Sequence, residues 1–255
     1  MLGVTTLRAV SGGAAGRTVD GFEVAWLTED GDQHRSALTD VWATRFEWCQ
    51  PARRFPSYKG QRHFNGRWWS STMGQHVGYE SWLERDHLML LDHDLAVVAV
   101  ASQPFWLFWP AGEDKVRSHV PDYFARLADS TALVVDCRPV ERIKPKDMAA
   151  FEATRAACEL VGWQYRLAGA PDAIVVANVR WLAGYRHPRH EVPAVAAPLR
   201  QVFAEPYPLM AGAEQVGDPI GVLPVLFHLL WRHELHADLS VPLHPDTPVR
   251  VAVAV

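Results

Sequence analysis

The sequence predicts a mixed α/β fold, with a small β-hairpin before the core and a smaller module after it. Three observations support this prediction. Apolar and β-branched runs typical of core strands alternate with amphipathic helical stretches through the middle of the chain. The chain has 255 residues, of which 49% are hydrophobic, enough for one sizeable core and a small second domain. A cluster of charge, histidine and proline at residues 186–190 marks the change between them.

The first predicted element is the hairpin, and a basic stretch follows it. Residues 22–28 alternate in polarity, residues 29–32 read Glu-Asp-Gly-Asp and supply a turn, and residues 35–41 return as the partner strand. The stretch from Arg53 to Arg67 then mixes arginine, lysine, glycine, proline and aromatic residues. That composition is typical of a loop or an edge strand with a positive face.

The core begins with a predicted helix over residues 81–94, where apolar side chains recur at helical spacing and Ser81 is a candidate N-cap. Short apolar or aromatic runs at residues 95–100, 105–109 and 132–135 predict core strands. Together they indicate a sheet with at least one helix packed against it.

The core continues with a helix that starts near Pro145 and ends at Gly162, a strand at residues 163–167, and a strand-to-helix element at residues 174–182. Beyond residue 186, residues 193–198 have linker composition. After these residues, the sequence predicts an amphipathic helix at 222–231 and a terminal strand at 249–255. Helices followed by a strand indicate a winged-helix-like α+β module. We divide the chain into an N-terminal hairpin region (1–45), a core domain (46–186) and a linker with the winged-helix-like module (187–255).

Composition narrows the functional classes. The net charge of -4 gives no global attraction to nucleic acid, so any DNA contact must come from local basic patches. Three scattered cysteines fit a reduced intracellular protein better than a disulfide framework. The longest apolar run, residues 220–231, is shorter than the roughly 20 residues of a membrane span. We therefore expect no association with a membrane.

Acidic residues in the predicted core follow a pattern that suits a divalent metal ion. Glu84 lies on the first helix, Asp122 follows Pro121 at the start of a strand, and Asp136 ends an apolar strand. Arg138, two residues later, is expected on the same face as Asp136 because side chains alternate along a strand. Phosphodiester hydrolysis with bound magnesium needs carboxylates from separate elements and a cation near the phosphate. The set predicts that chemistry.

Five short runs extend this pattern in a fixed order. The runs are Tyr79-Glu80-Ser81-Trp82-Leu83-Glu84-Arg85-Asp86, Leu90-Leu91-Asp92, Ser102-Gln103-Pro104, His119-Val120-Pro121-Asp122-Tyr123 and Val134-Val135-Asp136-Cys137-Arg138-Pro139. In order and spacing the chain resembles the TnsA-like endonuclease subunit of heteromeric bacterial transposases, within the PD-(D/E)xK nuclease superfamily. Residues 151–165 and 178–182 also resemble that family, and residues 229–231 do so loosely. The resemblance covers about residues 46–186.

The resemblance implies a restriction-endonuclease-like fold, a mixed sheet flanked by helices, that cuts the 5′ ends of a mobile element. It implies Mg²⁺ as the cofactor, with Mn²⁺ able to substitute, and DNA as the substrate. It also implies two protein partners, a TnsB-like DDE transposase and a TnsC-like AAA+ ATPase. The implied location is the bacterial cytoplasm, at the nucleoid during transposition.

Carried over by position, Glu84, Asp122 and Asp136 are the implied metal ligands. Arg138 stands where the family has its catalytic lysine, and an arginine stays protonated and suits phosphate binding better than proton transfer. The candidate supporting residues are Glu80, as a second metal contact, Gln103, Lys144 and Lys146. The candidate DNA contacts, which a solvated strand edge would explain equally well, are Arg53, Arg54, Lys59, Arg62 and Arg67.

The missing lysine leaves two further hypotheses open. In one, the chain is a catalytically weak or inactive scaffold of a transposition complex that keeps the nuclease fold. In the other, it is a nuclease of a restriction or defence system, because a fold alone does not fix function.

Overall fold

A computed structural model describes residues 21–55, 65–112 and 115–252, and these form a mixed α/β protein. The chain divides between Ala170 and Pro171 into two compact units, which we call unit 1 and unit 2. The boundary drawn from the sequence, at 186/187, falls inside unit 2. Within the described ranges, no helix is both long enough and apolar enough to cross a membrane.

Unit 1 contains ten strands and three α-helices among its described residues. The strands are β1 (Glu23–Leu27), β2 (Gln33–Ala37), β3 (Gly66–Ser70), β4 (Gln75–Tyr79), β5 (Val97–Ser102), β6 (Trp106–Pro110), β7 (Val116–His119), β8 (Tyr123–Leu127), β9 (Ala132–Cys137) and β10 (Gln164–Ala168). The helices are α1 (Leu38–Val41), α2 (Trp82–His93) and α3 (Pro145–Leu160), with single 3-10 turns at Phe46–Trp48 and Val140–Arg142.

The central sheet of unit 1 has the order β10-β9-β8-β5. Strands β5, β8 and β9 pair antiparallel, whereas β9 and β10 are parallel and are joined through α3. Strand β9 is buried along its whole length because its alternate side chains enter two different cores. Ala132 and Val134 pack with α3 residues, and Leu133 and Val135 pack with α2 residues. This layering places α2, the start of β8 and the end of β9 around one end of the sheet.

The predicted N-terminal hairpin is confirmed, since β1 and β2 pair antiparallel. It belongs to a larger sheet of order β2-β1-β6-β7, and Val24 and Trp26 enter the same core as the central sheet. The second strand ends at Ala37, and the predicted strand residues 38–41 form α1 instead. Leu38 is the buried residue of this short helix.

The two predicted core helices are confirmed as α2 and α3. Ser81 caps α2, and its hydroxyl accepts the Glu84 N–H at 3.2 Å. Helix α3 begins at Pro145, and the chain leaves it at Gly162, whose φ of 74° is a left-handed conformation that glycine adopts at little cost. Strand β3 begins at the end of the stretch predicted as a loop or an edge strand, whereas β4 was not predicted; the two form an antiparallel hairpin that contacts α2.

The described residues of unit 2, 171–252, form an α+β arrangement of four helices and three short strands. The helices are α4 (Ala173–Ala183), α5 (Pro193–Val202), α6 (Leu209–Val216) and α7 (Pro219–Trp231), and a 3-10 turn spans Pro188–His190. The strands are β11 (Tyr207–Pro208), β12 (Leu235–His236) and β13 (Pro248–Val251), in the order β11-β13-β12.

Two predictions for this region were wrong. Residues 193–198 are not a linker but the start of α5, since proline is tolerated in the first turn of a helix and Leu199 is buried. Residues 174–182 contain no strand. They lie within α4, which the Asp172 carboxylate caps by accepting the N–H groups of Ile174 and Val175. The amphipathic helix at 222–231 is confirmed as part of α7, and the terminal strand as β13, although residues 253–255 lie outside the described part of the chain.

Candidate active site

A polar cleft of about 330 Å³ lies at one end of the central sheet of unit 1. It lies there because β8 and β9 run antiparallel, so that the start of β8 and the end of β9 meet. The cleft brings together all four residues predicted as catalytic, and these are Glu84, Asp122, Asp136 and Arg138. Arg53, Glu80 and His119 also line it.

Asp122 occupies the centre of the group, immediately before β8. Its Oδ2 accepts the backbone N–H of Cys137 at 2.7 Å, and its own carbonyl accepts the N–H of Gln103 at 2.9 Å. Burial raises the pKa of Asp122 well above its ordinary value, and the negative charges of Glu84 and Asp136 raise it further. The Cys137 N–H and the more distant Arg53 charge only partly offset this. Asp122 therefore lies in an excess of negative charge.

Glu84 comes from the first turn of α2 and also caps it. One carboxylate oxygen accepts the Ser81 hydroxyl at 2.8 Å, and the other accepts the backbone N–H of Glu80 at 2.7 Å. Both bonds stabilise the charged form. Burial nevertheless raises the pKa of Glu84, as does, to a smaller degree, the charge of Glu80. Glu84 is thus a partly buried acid whose oxygens already have donors.

Glu80 forms an ion pair across the cleft lining with Arg53. The two guanidinium nitrogens of Arg53 contact the two oxygens of Glu80 at 2.8 and 2.6 Å. This bidentate geometry is the strongest form of such a pair. Arg53, a candidate DNA contact, therefore neutralises an acid of the cleft, and Glu80 has both of its oxygens engaged.

Asp136, at the end of β9, is buried and held from two sides. Its Oδ1 lies 2.7 Å from Nε2 of His119, the last residue of β7, and its Oδ2 accepts the hydroxyl of Tyr165 on β10 at 2.9 Å. The sequence reasoning assigned no role to His119 or Tyr165, although both lie in runs that carry the family resemblance. Their separation from Asp136 along the chain gave no signal that they would contact it.

Arg138 follows β9 and is exposed at the cleft. Its backbone N–H donates to the carbonyl of Ala168 at 2.9 Å, which extends the β9–β10 pairing by one residue. Within the described part of the chain, its guanidinium makes no hydrogen bond or ion pair. A cation is thus available beside the acidic group for an anionic ligand.

The other candidates are not brought into the cleft. Lys144 and Lys146 are exposed at the start of α3 and do not line it. Gln103 is buried and contacts Asp122 through a backbone hydrogen bond, in which its N–H donates to the Asp122 carbonyl. Its side-chain Oε1 has no hydrogen-bond partner among the described residues. Of the basic stretch, Arg54 and Arg67 are exposed outside the cleft lining, and Lys59 and Arg62 lie outside the described residues.

Cys137 separates Asp136 from Arg138, but its thiol is unsuited to nucleophilic chemistry. Burial raises the pKa of the Cys137 thiol, and the charges of Asp122 and Glu84 raise it further. A thiol held in its neutral form is a poor nucleophile. The contribution of Cys137 to the cleft is its backbone N–H.

Carboxylate oxygens are the donors that Mg²⁺ prefers, and the charge excess around Asp122 suits a divalent cation. Across residues 21–55, 65–112 and 115–252, no group of three or more His, Cys, Asp or Glu side chains is already spaced to hold a metal ion. The hydrogen bonds of Glu84 and Asp136 take up one lone pair of each carboxylate oxygen, and each oxygen keeps another for a metal ion. The donor set therefore fits magnesium by its chemistry, without forming a ready-made cage.

Neither a protein-family model nor a curated protein sequence matches this chain at a significant level. A functional assignment must therefore come from the cleft and from the short runs described above.

Proposed function

We propose that this chain is a metal-dependent DNA endonuclease that hydrolyses phosphodiester bonds at the cleft of unit 1. The observation that carries the proposal is the convergence of Glu84, Asp122 and Asp136 from three separate elements, beside the guanidinium of Arg138, which has no hydrogen bond or ion pair with any described residue. Like-charged acids that raise the pKa of a neighbour are costly for folding. Such a cost is typical of functional sites, where perturbed carboxylates are retained for chemistry.

In this proposal Glu84, Asp122 and Asp136 hold Mg²⁺, and Mn²⁺ can replace it. The bound ion would polarise the scissile phosphate and lower the pKa of an attacking water. Arg138 contacts the phosphate and offsets its charge, because a guanidinium remains protonated at neutral pH and binds phosphate oxygens in a fork. The Arg53–Glu80 pair neutralises one acid of the cleft lining and ties Arg53 to the residue that lies two positions before α2.

We further propose the TnsA-like assignment, supported by the five short runs. The order α2, β5, β8, β9, α3, β10 is compatible with the restriction-endonuclease-like core that the assignment implies, and the helices and short sheet of unit 2 are compatible with a winged-helix-like module. In this role the chain cuts the 5′ ends of a mobile element alongside a TnsB-like DDE transposase under a TnsC-like AAA+ ATPase. Recruitment by partners suits a protein with a net charge of -4.

A second candidate is a non-catalytic scaffold that keeps the nuclease fold. Two observations favour it: arginine stands where the family has lysine, and the oxygens of Glu84 and Asp136 are engaged by donors of the protein. In the endonuclease, Arg138 replaces the family's lysine and supports cleavage. In the scaffold, Arg138 does not support cleavage.

The experiment that separates them is cleavage of supercoiled plasmid with Mg²⁺ or Mn²⁺, with and without the transposase subunit. Wild type, Asp122→Ala and Arg138→Lys are compared at equal concentration. Nicking by wild type that Asp122→Ala abolishes supports the endonuclease. Silence of the wild type under every condition, with nicking gained in Arg138→Lys, supports the scaffold.

A further inference from the structure

Asp136 is the acid of the cleft whose position the protein controls most tightly. Its side chain is 2% exposed, and each of its two oxygens has a separate donor from a different strand. A carboxylate with one donor can still rotate about its last torsion angle, whereas a donor on each oxygen fixes that rotation. The arrangement specifies which oxygen faces the cleft.

The two donors contact different oxygens of Asp136. His119 lines the cleft, so Oδ1, which it contacts, is the cleft-facing oxygen. Tyr165 does not line the cleft and packs against the aromatic core beneath the sheet, so Oδ2 is the inward-facing oxygen. The parallel register of β10 on β9 pairs Tyr165 with Val134, which places its hydroxyl within reach of Asp136 two residues further along β9.

Both donors are themselves held in place. The His119 ring packs edge-on against Phe151 of α3, with ring centroids 5.9 Å apart. The guanidinium of Arg155, also on α3, lies 5.1 Å from the centroid of the Tyr165 ring. Helix α3 thus supports both contacts from one side.

We propose that His119 and Tyr165 are positioning residues, which orient Asp136 for a divalent cation in the cleft. The inference rests on the metal site of the proposed function and extends it to residues that do not themselves hold the ion. Partners that orient a metal-binding side chain typically account for 10- to 100-fold in metal affinity. Tyr165 fixes the inward oxygen, and His119 keeps the outward oxygen directed at the cleft.

The test is Mn²⁺ binding to the full chain, measured by calorimetry and by the electron paramagnetic resonance signal of free Mn²⁺. Tyr165→Phe and His119→Ala are expected to raise the Kd about tenfold. His119→Gln, which keeps a donor near the position of Nε2, is expected to restore most of the affinity. Tyr207→Phe is the matched control, since it removes a hydroxyl that accepts a 2.9 Å hydrogen bond from Gln215 in unit 2.

Thermal melting without metal separates positioning from folding. A positioning role predicts a weaker Kd in variants whose metal-free melting temperature stays close to that of the wild type. Wild-type affinity in both Tyr165→Phe and His119→Ala would overturn the inference, as would a wild type that binds no Mn²⁺. Tight Mn²⁺ binding without plasmid nicking would instead overturn the endonuclease proposal and leave the positioning role intact.

Discussion

The backbone N–H of Cys137 donates a 2.7 Å hydrogen bond to Oδ2 of Asp122, and it thereby ties the end of β9 to the residue that precedes β8. This bond fixes Asp122 next to Asp136, where the two negative charges oppose each other. Burial raises the pKa of Asp122 most, followed by the charge of Glu84 and then by that of Asp136. The buried, neighbouring carboxylates therefore lower the free energy of unfolding of the metal-free protein.

Asp122→Asn is expected to stabilise the metal-free protein by about 1 kcal/mol at neutral pH, since removing a strained charge from a functional site commonly stabilises a fold. The amide oxygen can still accept the Cys137 N–H. Because the pKa of Asp122 is raised in the folded state, the folded protein binds this proton more tightly than the unfolded chain does. Its contribution to the free energy of unfolding therefore falls as pH rises through the folded pKa.

The stabilisation by Asp122→Asn should therefore become smaller as the pH is lowered below the pKa of Asp122 in the folded protein. Urea denaturation in EDTA at two pH values measures the difference between variant and wild type. A variant that is no more stable than wild type at neutral pH would contradict the charge excess.

The two glutamates of the cleft should differ in their effect on cleavage. Glu84→Gln is expected to lower the nicking rate by at least about 10- to 100-fold, the range seen when groups that merely orient a metal ligand are altered. Glu80→Gln should lose much less, because both oxygens of Glu80 are occupied by Arg53 and a glutamine keeps one acceptor for it. Initial rates on supercoiled plasmid measure both. A larger loss in Glu80→Gln would move the metal contact to Glu80.

Asp92 should be essential for the β3–β4 hairpin. Its carboxylate is buried and accepts the Trp68 indole N–H at 2.8 Å, the Ser70 hydroxyl at 2.6 Å and the backbone N–H of Thr72 at 3.0 Å. Asp92→Ala leaves these donors unsatisfied and should cost roughly 3–4 kcal/mol of unfolding free energy.

The matched control is Asp94→Ala, two residues further along. The exposed Asp94 carboxylate accepts the N–H of Ala96 at 2.9 Å, so its loss should cost about 1 kcal/mol or less. Chemical denaturation compares the two variants. Equal losses would mean that the hairpin does not depend on Asp92.

Replacement of two helical glycines of unit 2 by alanine should have opposite effects on the stability of the protein. A Cβ at Gly212 in α6 would overlap the ring of Phe203, whereas a Cβ at Gly221 in α7 would meet nothing within 4 Å. Gly212→Ala should destabilise the protein by about 1–3 kcal/mol through overpacking. Gly221→Ala should stabilise it by roughly 0.5–1 kcal/mol through helix propensity. Stabilisation in both variants would show that Phe203 moves aside without cost.

Much of the fold could be predicted because its signals are local. Helix α2 has a serine N-cap and a helical apolar stripe, and β9 is a short run of β-branched residues. The start of α5 was mistaken for a linker because Pro193 and Pro198 resemble breakers, yet Pro193 occupies a first-turn position and the apolar face of the helix is buried. The local amino-acid composition could not predict that this face of α5 would be buried.

The order of Glu84, Asp122 and Asp136 along the chain, together with the family resemblance of the runs around them, predicted that they would meet. The hydrogen bonds of Asp136 to His119 and Tyr165 could not be predicted, because they join residues 17 and 29 positions apart and depend on the register of β10 against β9. Likewise, no pattern indicated that Arg53 would pair with Glu80 across 27 positions. Contacts of this kind follow from packing and not from periodicity.

Plasmid nicking by Asp122→Asn, the variant expected to fold more stably than the wild type, decides whether this cleft cuts DNA. We expect that wild type nicks supercoiled DNA in Mg²⁺ or Mn²⁺, that EDTA stops it, and that Asp122→Asn is inactive although its unfolding free energy is higher. Nicking by Asp122→Asn at the wild-type rate, or nicking that persists in EDTA, would contradict a metal-dependent endonuclease in this cleft.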